Sequence, residues 1–201
     1  NAKEKISKQL GDGKLLLRLT KKTVIYDFRQ NDLKNGGQGA PLTAIFHKLL
    51  TYKHKIETPL IFLNIGGVAN LTNIDHLDNI CAWDVGPGNC LIDQWIRFNS
   101  EKRYDQDGKI ASSGKINKIV LNSALESYLE INSSDDQPKS YDVKDFDLSF
   151  VRGLSLEDGA ATLTEYTSEI LITKLKNTLV GSKSIVVTGG RRKNNFLIRS
   201  I

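Results

Sequence analysis

Pro59-Leu60-Ile61-Phe62-Leu63-Asn64-Ile65-Gly66-Gly67-Val68-Ala69-Asn70-Leu71-Thr72-Asn73-Ile74 opens a stretch that continues, after a short polar spacer, as Ala82-Trp83-Asp84-Val85-Gly86-Pro87-Gly88-Asn89-Cys90-Leu91-Ile92-Asp93-Gln94-Trp95. Leu60 to Leu63 is an apolar run long enough for a buried strand. Gly66-Gly67 follows at once as a turn signal, and Val68 to Ile74 carries the β-branched and apolar residues of a second strand. Ile80 to Asp84 reads as a third, which Gly86-Pro87-Gly88-Asn89 breaks. From Cys90 to Phe98 apolar residues recur at helical spacing. Asn89 suits the N-cap of that helix, and Gly88 allows a tight turn before it.

A glycine pair between strands exposes backbone N–H groups with no Cβ in the way. A helix N-terminus adds more N–H groups and a partial positive charge, and both suit a phosphate. Asp84 falls between these features at a strand end, placed to activate a nucleophile or hold a cation near phosphate. The same residues also suit a hairpin turn followed by an ordinary helix cap, because glycine pairs and asparagine caps are common.

The 201 residues leave room for one or two domains and a sizeable core. With 39% hydrophobic and 25% charged residues the chain is globular rather than disordered. No run reaches the length of a membrane span and no signal-peptide pattern opens the chain, so no membrane partner is expected. The net charge is +5, but lysines are scattered and aromatics few, which argues against a nucleic-acid-binding stripe. Cys81 and Cys90 have no CxxC or Cys/His cluster around them and read as buried reduced thiols. A cytoplasmic protein is the expectation. There is no methionine, so Asn1 does not read as a natural start and a piece of a longer chain is expected.

Upstream, Gly11-Asp12-Gly13 reads as a turn and Lys14 to Thr20 as a short helix. Gly11 to Lys14 is not a P-loop, lacking its first glycine and the Ser/Thr after the lysine. Thr23 to Phe28 is a strand by β-propensity. Arg29 and Asp32 follow at its end, where α/β proteins place ligand contacts; a surface ion pair is the other reading. Asn35 to Pro41 is a glycine-rich loop, and Pro41 suits the first position of a helix over 41–51. His47 on that helix reads as a packing or surface residue. The charged segment Lys53 to Thr58 is taken as a boundary between residues 1–56 and 57–201.

Downstream, Tyr104 to Gly108 reads as a turn rather than a calcium loop, because Ile116 stands where the loop needs Glu. A helix is predicted over 116–131, with Ile116, Ile119, Val120, Ala124, Tyr128 and Ile131 on one side. A loop follows over 132–137. Ser155-Leu156-Glu157-Asp158 has the form of a capping box, ahead of a long helix over 160–177 with Leu163, Tyr166, Ile170, Leu171 and Leu175 in the core. Ser184 to Thr188 reads as a buried strand ending in Gly189-Gly190 before another helix, again a turn suited to a nucleotide.

This order of elements resembles one half of the sugar kinase, Hsp70 and actin fold, an α/β, ribonuclease H-like architecture with a mixed sheet flanked by helices. Within it, the chain closely resembles the anhydro-N-acetylmuramic acid kinases. The motifs stand in family order: Asp27-Phe28-Arg29 and Asp32; Gly36-Gly37-Gln38-Gly39-Ala40-Pro41-Leu42 with Phe46-His47; Asn64 to Asn70; Asp84-Val85-Gly86-Pro87-Gly88-Asn89 with Asp93-Gln94-Trp95; Asp105-Gln106-Asp107-Gly108; Pro138-Lys139-Ser140; Ala161-Thr162-Leu163-Thr164; and Gly189-Gly190 with Asn194. They cover nearly the whole chain.

The resemblance implies phosphorylation of 1,6-anhydro-N-acetylmuramic acid by ATP with opening of the anhydro bridge by water, a step of peptidoglycan recycling. It implies that Asp84 is the base for the attacking water. Gly66, Gly67 and Asn70 are implied as a phosphate loop, with Gly86, Gly88 and Asn89 nearby. Gly189, Gly190 and Asn194 are implied as the adenosine loop. Arg29, Gly37 and Gln38 are implied to face the sugar, with Arg29 pairing its lactyl carboxylate. Mg2+ is expected with ATP, its ligands unassigned, and a homodimer is allowed. Residues 1–56 correspond to the end of a first, sugar-facing domain and 57–201 to the second. The family's Gly-Thr-Ser-x-Asp-Gly loop and Gly-Gln-Thr motif are absent, and Arg191 replaces a third glycine. A catalytically inactive remnant or binding module is therefore the alternative expectation.

Overall fold

A computed structural model describes residues 6–8, 10–132, 140–178, 181 and 184–201, with the side chain of Asn132 excepted. The chain divides into two units, residues 1–43 and 44–201.

In the first unit, α1 (Gly13–Thr20) starts at Asp12, whose carboxylate accepts the N–H groups of Lys14 and Leu15 at 2.9 and 3.0 Å. Such a cap satisfies donors that the first helical turn leaves open. The strand expected over 23–28 does not form: residues 23–27 are irregular and Phe28 begins α2 (Phe28–Lys34). β-Propensity expresses a fit to a pleated neighbour, and the described residues of this unit contain no strand to supply one. Arg29 and Asp32 both grip the glycine-rich loop rather than each other. Asp32 Oδ2 accepts the Gly39 N–H at 2.7 Å, and Arg29 Nη1 donates to the Gly39 carbonyl at 3.0 Å. The Gly37 N–H donates to the Asp32 carbonyl at 2.9 Å. A Cβ on Gly37 would push the Asp32 carboxylate out of the place from which it holds the Gly39 N–H.

The second unit begins with α3 (Ala44–His54). It starts three residues after Pro41, which lies in the irregular approach, and Thr43 takes the position that favours a hydroxyl residue. The other helices are α4 (Cys90–Asn99), α5 (Lys109–Ser113), α6 (Lys118–Asn132), α7 (Leu156–Thr178) and α8 (Asn195–Ser200). The strands β1 (Leu60–Ile65), β2 (Val68–Ile74), β3 (Ile80–Pro87) and β4 (Ser184–Thr188) form one sheet in the order β3-β2-β1-β4. β1, β2 and β3 pair antiparallel, and β4 lies parallel to β1. β3 runs past Asp84 to Pro87 because a bulge opposite Ala69 and Asn70 absorbs one residue. Pro87 is tolerated at the end of this edge strand.

β1 is central and covered on both faces, which is why it reads as a continuous apolar run. Ile61, Leu63 and Ile65 pack with Leu171 and Leu175 of α7 and Leu197 of α8. Leu60 and Phe62 pack with Leu50 and Ile56 on the other face. There His47 stacks on Phe62 at 4.5 Å, and its Nδ1 lies 2.8 Å from Thr72 Oγ1. Burial holds its pKa below the ordinary histidine value. His47 is thus a packing residue, and α3, which the sequence reading assigned to residues 1–56, belongs with the sheet.

All five residues predicted for the core side of α7 are buried. Its capping box is half formed. Ser155 Oγ accepts the Asp158 N–H at 3.1 Å, but the Asp158 carboxylate turns to the Lys115 N–H at 2.8 Å. On α6 the inward stripe is Leu121, Ala124 and Tyr128, a spacing that places Ile119 on the far side. Ile119 and Ile131 are exposed, against expectation. Cys90 is buried but Cys81, on edge strand β3, is exposed. The predicted 132–137 loop and the Pro138-Lys139 pair lie outside the described residues, apart from the backbone of Asn132. Among the described residues no helix is long and apolar enough to cross a membrane.

Candidate active site

The strand directions bring three glycine turns to one edge of the sheet. β1 and β3 both end there, and β4 runs parallel to β1. Gly66-Gly67 follows β1, Gly88-Asn89 follows β3, and Gly189-Gly190 follows β4. The first two are laced together: the Gly88 and Cys90 N–H groups donate to the Gly67 carbonyl at 2.9 and 3.1 Å, and the Asn89 N–H donates to the Gly66 carbonyl at 2.9 Å. Gly189, at φ 89°, lies against the end of β1, where a Cβ would crowd the Ile65 carbonyl and come within 2.7 Å of Asn64 Oδ1.

This lacing corrects one expectation. The amides leading into α4 are consumed by the Gly66-Gly67 carbonyls, so Gly88 and Asn89 build the frame and do not offer those N–H groups to a phosphate. Gly86 is set by packing, since a Cβ there would lie 2.7 Å from Ile170 Cγ2. Asn89 stands at the N-cap position without capping. Its φ and ψ of −90° and 2° depart from the extended conformation of a capping residue. Its Nδ2 donates to Asp93 Oδ1 at 3.4 Å, and its Oδ1 is buried without a partner. The carbonyl and N–H of one trans peptide point opposite ways. Binding the Gly66 carbonyl to α4 therefore turns the Gly67 N–H away from it. Among the described residues, the N–H groups of Gly66, Gly67, Gly189 and Gly190 donate to no protein acceptor. They are the available anion donors of this edge.

Asp84 lies on β3, two strands from β1 and three from β4. Register places Asp84 opposite Asn70, Asn70 opposite Asn64, and Asn64 opposite Thr188. One polar row thus crosses all four strands on the face where α3 packs, about 14 Å from end to end at the usual strand spacing. The row beneath it, Val186, Phe62, Thr72 and Ala82, is mostly apolar. Asp84 is 8% exposed and its Oδ2 accepts the Tyr141 N–H at 2.9 Å. Asn70 Oδ1 is buried without a partner. Asn64 and Thr188 escaped the sequence reading as site residues. Their signal is a lone polar residue near the end of an otherwise apolar central strand and another at the end of Ser184 to Thr188.

The third turn is tied to α4 by Arg191, whose Nη2 lies 2.6 Å from Asp93 Oδ2 and whose guanidinium sits 4.7 Å from the Tyr104 ring centre. Burial raises the Asp93 pKa, and Arg191 opposes that rise. Asn194 is buried as the cap of α8, its Oδ1 accepting the Leu197 N–H at 3.1 Å, while its Nδ2 is buried without a partner. Asn194 therefore braces the turn and Gly190 is its exposed member. No three of the described His, Cys, Asp and Glu residues gather to hold a metal. The oxygens of Asp84 and Asn70 suit Mg2+ only as it is usually held, by few protein ligands together with phosphate oxygens and water. Arg29, Gly37 and Gln38 form their own cluster in the first unit, with Gln38 exposed.

The family model for anhydro-N-acetylmuramic acid kinase matches residues 1–201. A protein named anhydro-N-acetylmuramic acid kinase from Pelagibacter ubique (strain HTCC1062) is 48% identical over 207 residues, covering 100% of this chain and 55% of the relative. Proteins of the same name from Zymomonas mobilis subsp. mobilis and Rhodopseudomonas palustris are 38% and 37% identical, over 96% and 98% of this chain and 52% and 53% of theirs. The chain spans about half the length of the curated relatives it matches. On its mixed α/β sheet, its ordered motifs and this match along its whole length, the chain belongs to the anhydro-N-acetylmuramic acid kinase family, with the sugar-kinase and actin-like fold.

Proposed function

We propose that the chain carries the nucleotide half of an ATP-dependent kinase acting on 1,6-anhydro-N-acetylmuramic acid in cytoplasmic peptidoglycan recycling. The observation that supports this reading best is the set of unclaimed N–H groups on Gly66, Gly67, Gly189 and Gly190 along the edge where Asp84 stands. Gly66 and Gly67 receive phosphate oxygens, and Gly189 and Gly190 line the adenosine side, braced by Asn194. Arg29 pairs the lactyl carboxylate of the sugar, with Gly37 and Gln38 in the same loop. In domain terms the first unit is sugar-facing and the second is the ribonuclease H-like domain.

Asp84 takes the proton of a water as that water's oxygen bonds to the anomeric carbon. The bond from that carbon to O6 breaks, O6 takes the γ-phosphoryl group, and ADP leaves with the electron pair of the broken P–O bond. The product is N-acetylmuramic acid 6-phosphate. The Tyr141 N–H orients the Asp84 carboxylate for this step. Mg2+ would come with the nucleotide and supply charge neutralisation on its phosphates, and on this chain Asp84, with Asn70 beside it in the register, would face it.

The test is product formation by the whole protein given ATP, Mg2+ and the anhydro sugar. Asp84→Asn is expected to lower turnover at least about 1,000-fold, a loss of the size general-base catalysis supplies, with ATP affinity within about threefold of the parent. Turnover equal to that of the parent would place the base elsewhere.

A further inference from the structure

A cavity of about 580 Å3 lies between α6, α7 and the 140–150 segment of the second unit, within the size range of small-molecule sites. It adjoins the site described above without sharing its glycine turns: Tyr141 lines it, and the Tyr141 N–H holds Asp84 Oδ2 at 2.9 Å. Its aromatic lining is Tyr128 of α6, Tyr166 of α7, and Tyr141, Phe146 and Phe150. These rings do not stack in parallel. Tyr128 and Tyr166 meet at 85° with ring centres 6.2 Å apart, Phe150 and Tyr166 at 51° and 5.0 Å, and Tyr141 and Phe146 at 44° and 5.3 Å. Parallel rings admit a flat ligand between them. Rings set at steep angles form the corner of a box, which suits a rounded group.

The charged lining has one sign. Asp145 and Asp147 both border the cavity, and no lysine or arginine among the described residues does. The Ser149 hydroxyl donates to Asp147 and holds its pKa below the ordinary carboxylate value, so this group is ionised at neutral pH. Burial first, and then the Asp147 charge, push the Tyr166 hydroxyl up to about 12. That wall therefore stays a neutral phenol, with the negative ring face that attracts a cation. The lactyl carboxylate of the acceptor sugar would be repelled here, which sets this cavity apart from the sugar site.

We propose that the cavity binds a small organic ammonium ion. Its cationic head is held among the rings of Tyr128, Tyr166 and Phe150 by cation–π attraction and by the charges of Asp145 and Asp147. The site uses neither the glycine turns nor Asp84 and stands independently of the nucleotide reading.

Choline is the probe, and its neutral isostere, with carbon in place of the quaternary nitrogen, is the control. Each is titrated into the whole protein without nucleotide and followed by saturation transfer to its methyl protons. Saturable choline binding is expected, with the isostere at least about tenfold weaker. Asp145→Asn combined with Asp147→Asn removes both charges and keeps shape and an acceptor oxygen for the Asp142 and Ser149 N–H groups. This double variant is expected to weaken choline at least about fivefold and leave the isostere unchanged, with the melting temperature close to the parent's. The advantage of choline over the isostere is expected to shrink as salt rises, since the carboxylates are screened. Equal affinity for choline and the isostere would overturn the inference, as would the absence of saturable choline binding or an unchanged choline affinity in the double variant.

Discussion

Gly88→Ala tests the lacing of the first two turns directly. Gly88 does not adopt a left-handed φ, so alanine meets no backbone conformational penalty there. The penalty is steric. The new methyl would lie under 3.0 Å from the Gly66 carbonyl oxygen and 3.1 Å from both the Gly66 carbonyl carbon and the Gly67 oxygen. All three are backbone atoms, so no side-chain rotation relieves the clash. The turns must part, and the three bonds from Gly88, Asn89 and Cys90 go with them. At about 1 kcal/mol net for each bond the loss is about 3 kcal/mol. Alanine's smaller unfolded-state entropy returns about 0.4–1 kcal/mol, leaving a destabilisation of about 2–3 kcal/mol. Urea unfolding followed by tryptophan fluorescence suits the measurement, because Trp83 in β3 and Trp95 in α4 flank the turn. The expected result is a lower midpoint with an unchanged slope. Gly190→Ala is the matched control: no atom lies within 4 Å of a Cβ there, so its midpoint should stay near the parent's. Gly88→Ala should also weaken ATP binding, since the Gly67 N–H moves with its peptide. A Gly88→Ala midpoint equal to that of Gly190→Ala would refute the reasoning.

Arg191→Ala removes the partner 2.6 Å from Asp93, whose side chain is 9% exposed. Burial already raises the Asp93 pKa, and removal of the guanidinium raises it further. A raised carboxyl pKa favours the protonated folded form, so the penalty is absent below the unfolded value of 3.8 and grows as pH rises through the folded one. A loss of about 1–2 kcal/mol at pH 7 that largely disappears near pH 4 is expected in paired melts; an equal loss at both would count against it. His47 has the opposite sign. Its lowered pKa means the unfolded chain takes up a proton that the folded chain resists, so stability falls as pH drops from 6.5 through the folded value. His47→Asn should flatten that part of the pH–stability curve between pH 7.5 and 5, and a curve still parallel to the parent's would place the titration elsewhere.

The positions of β1, β2, β4 and α7 are legible from local sequence. Those boundaries follow from unbroken apolar runs, glycine pairs and helical spacing, whose physical effects act over a few residues. The failures arose where neighbours decide. Thr23 to Phe28 has strand-forming residues but no strand to pair with, and Ile119 looks like a core residue until the position of Leu121 sets the inward side of α6. At the site, glycines at 66, 88 and 189 could be read from the chain, but not which of their N–H groups face outward. That depends on hydrogen bonds between turns about twenty residues apart, and it gave Gly88 and Asn89 a framing role. The pairing of Asn64 with Thr188 joins positions 124 residues apart. Only the tertiary structure decides such a pair, because cross-strand register belongs to two segments together and neither alone contains it.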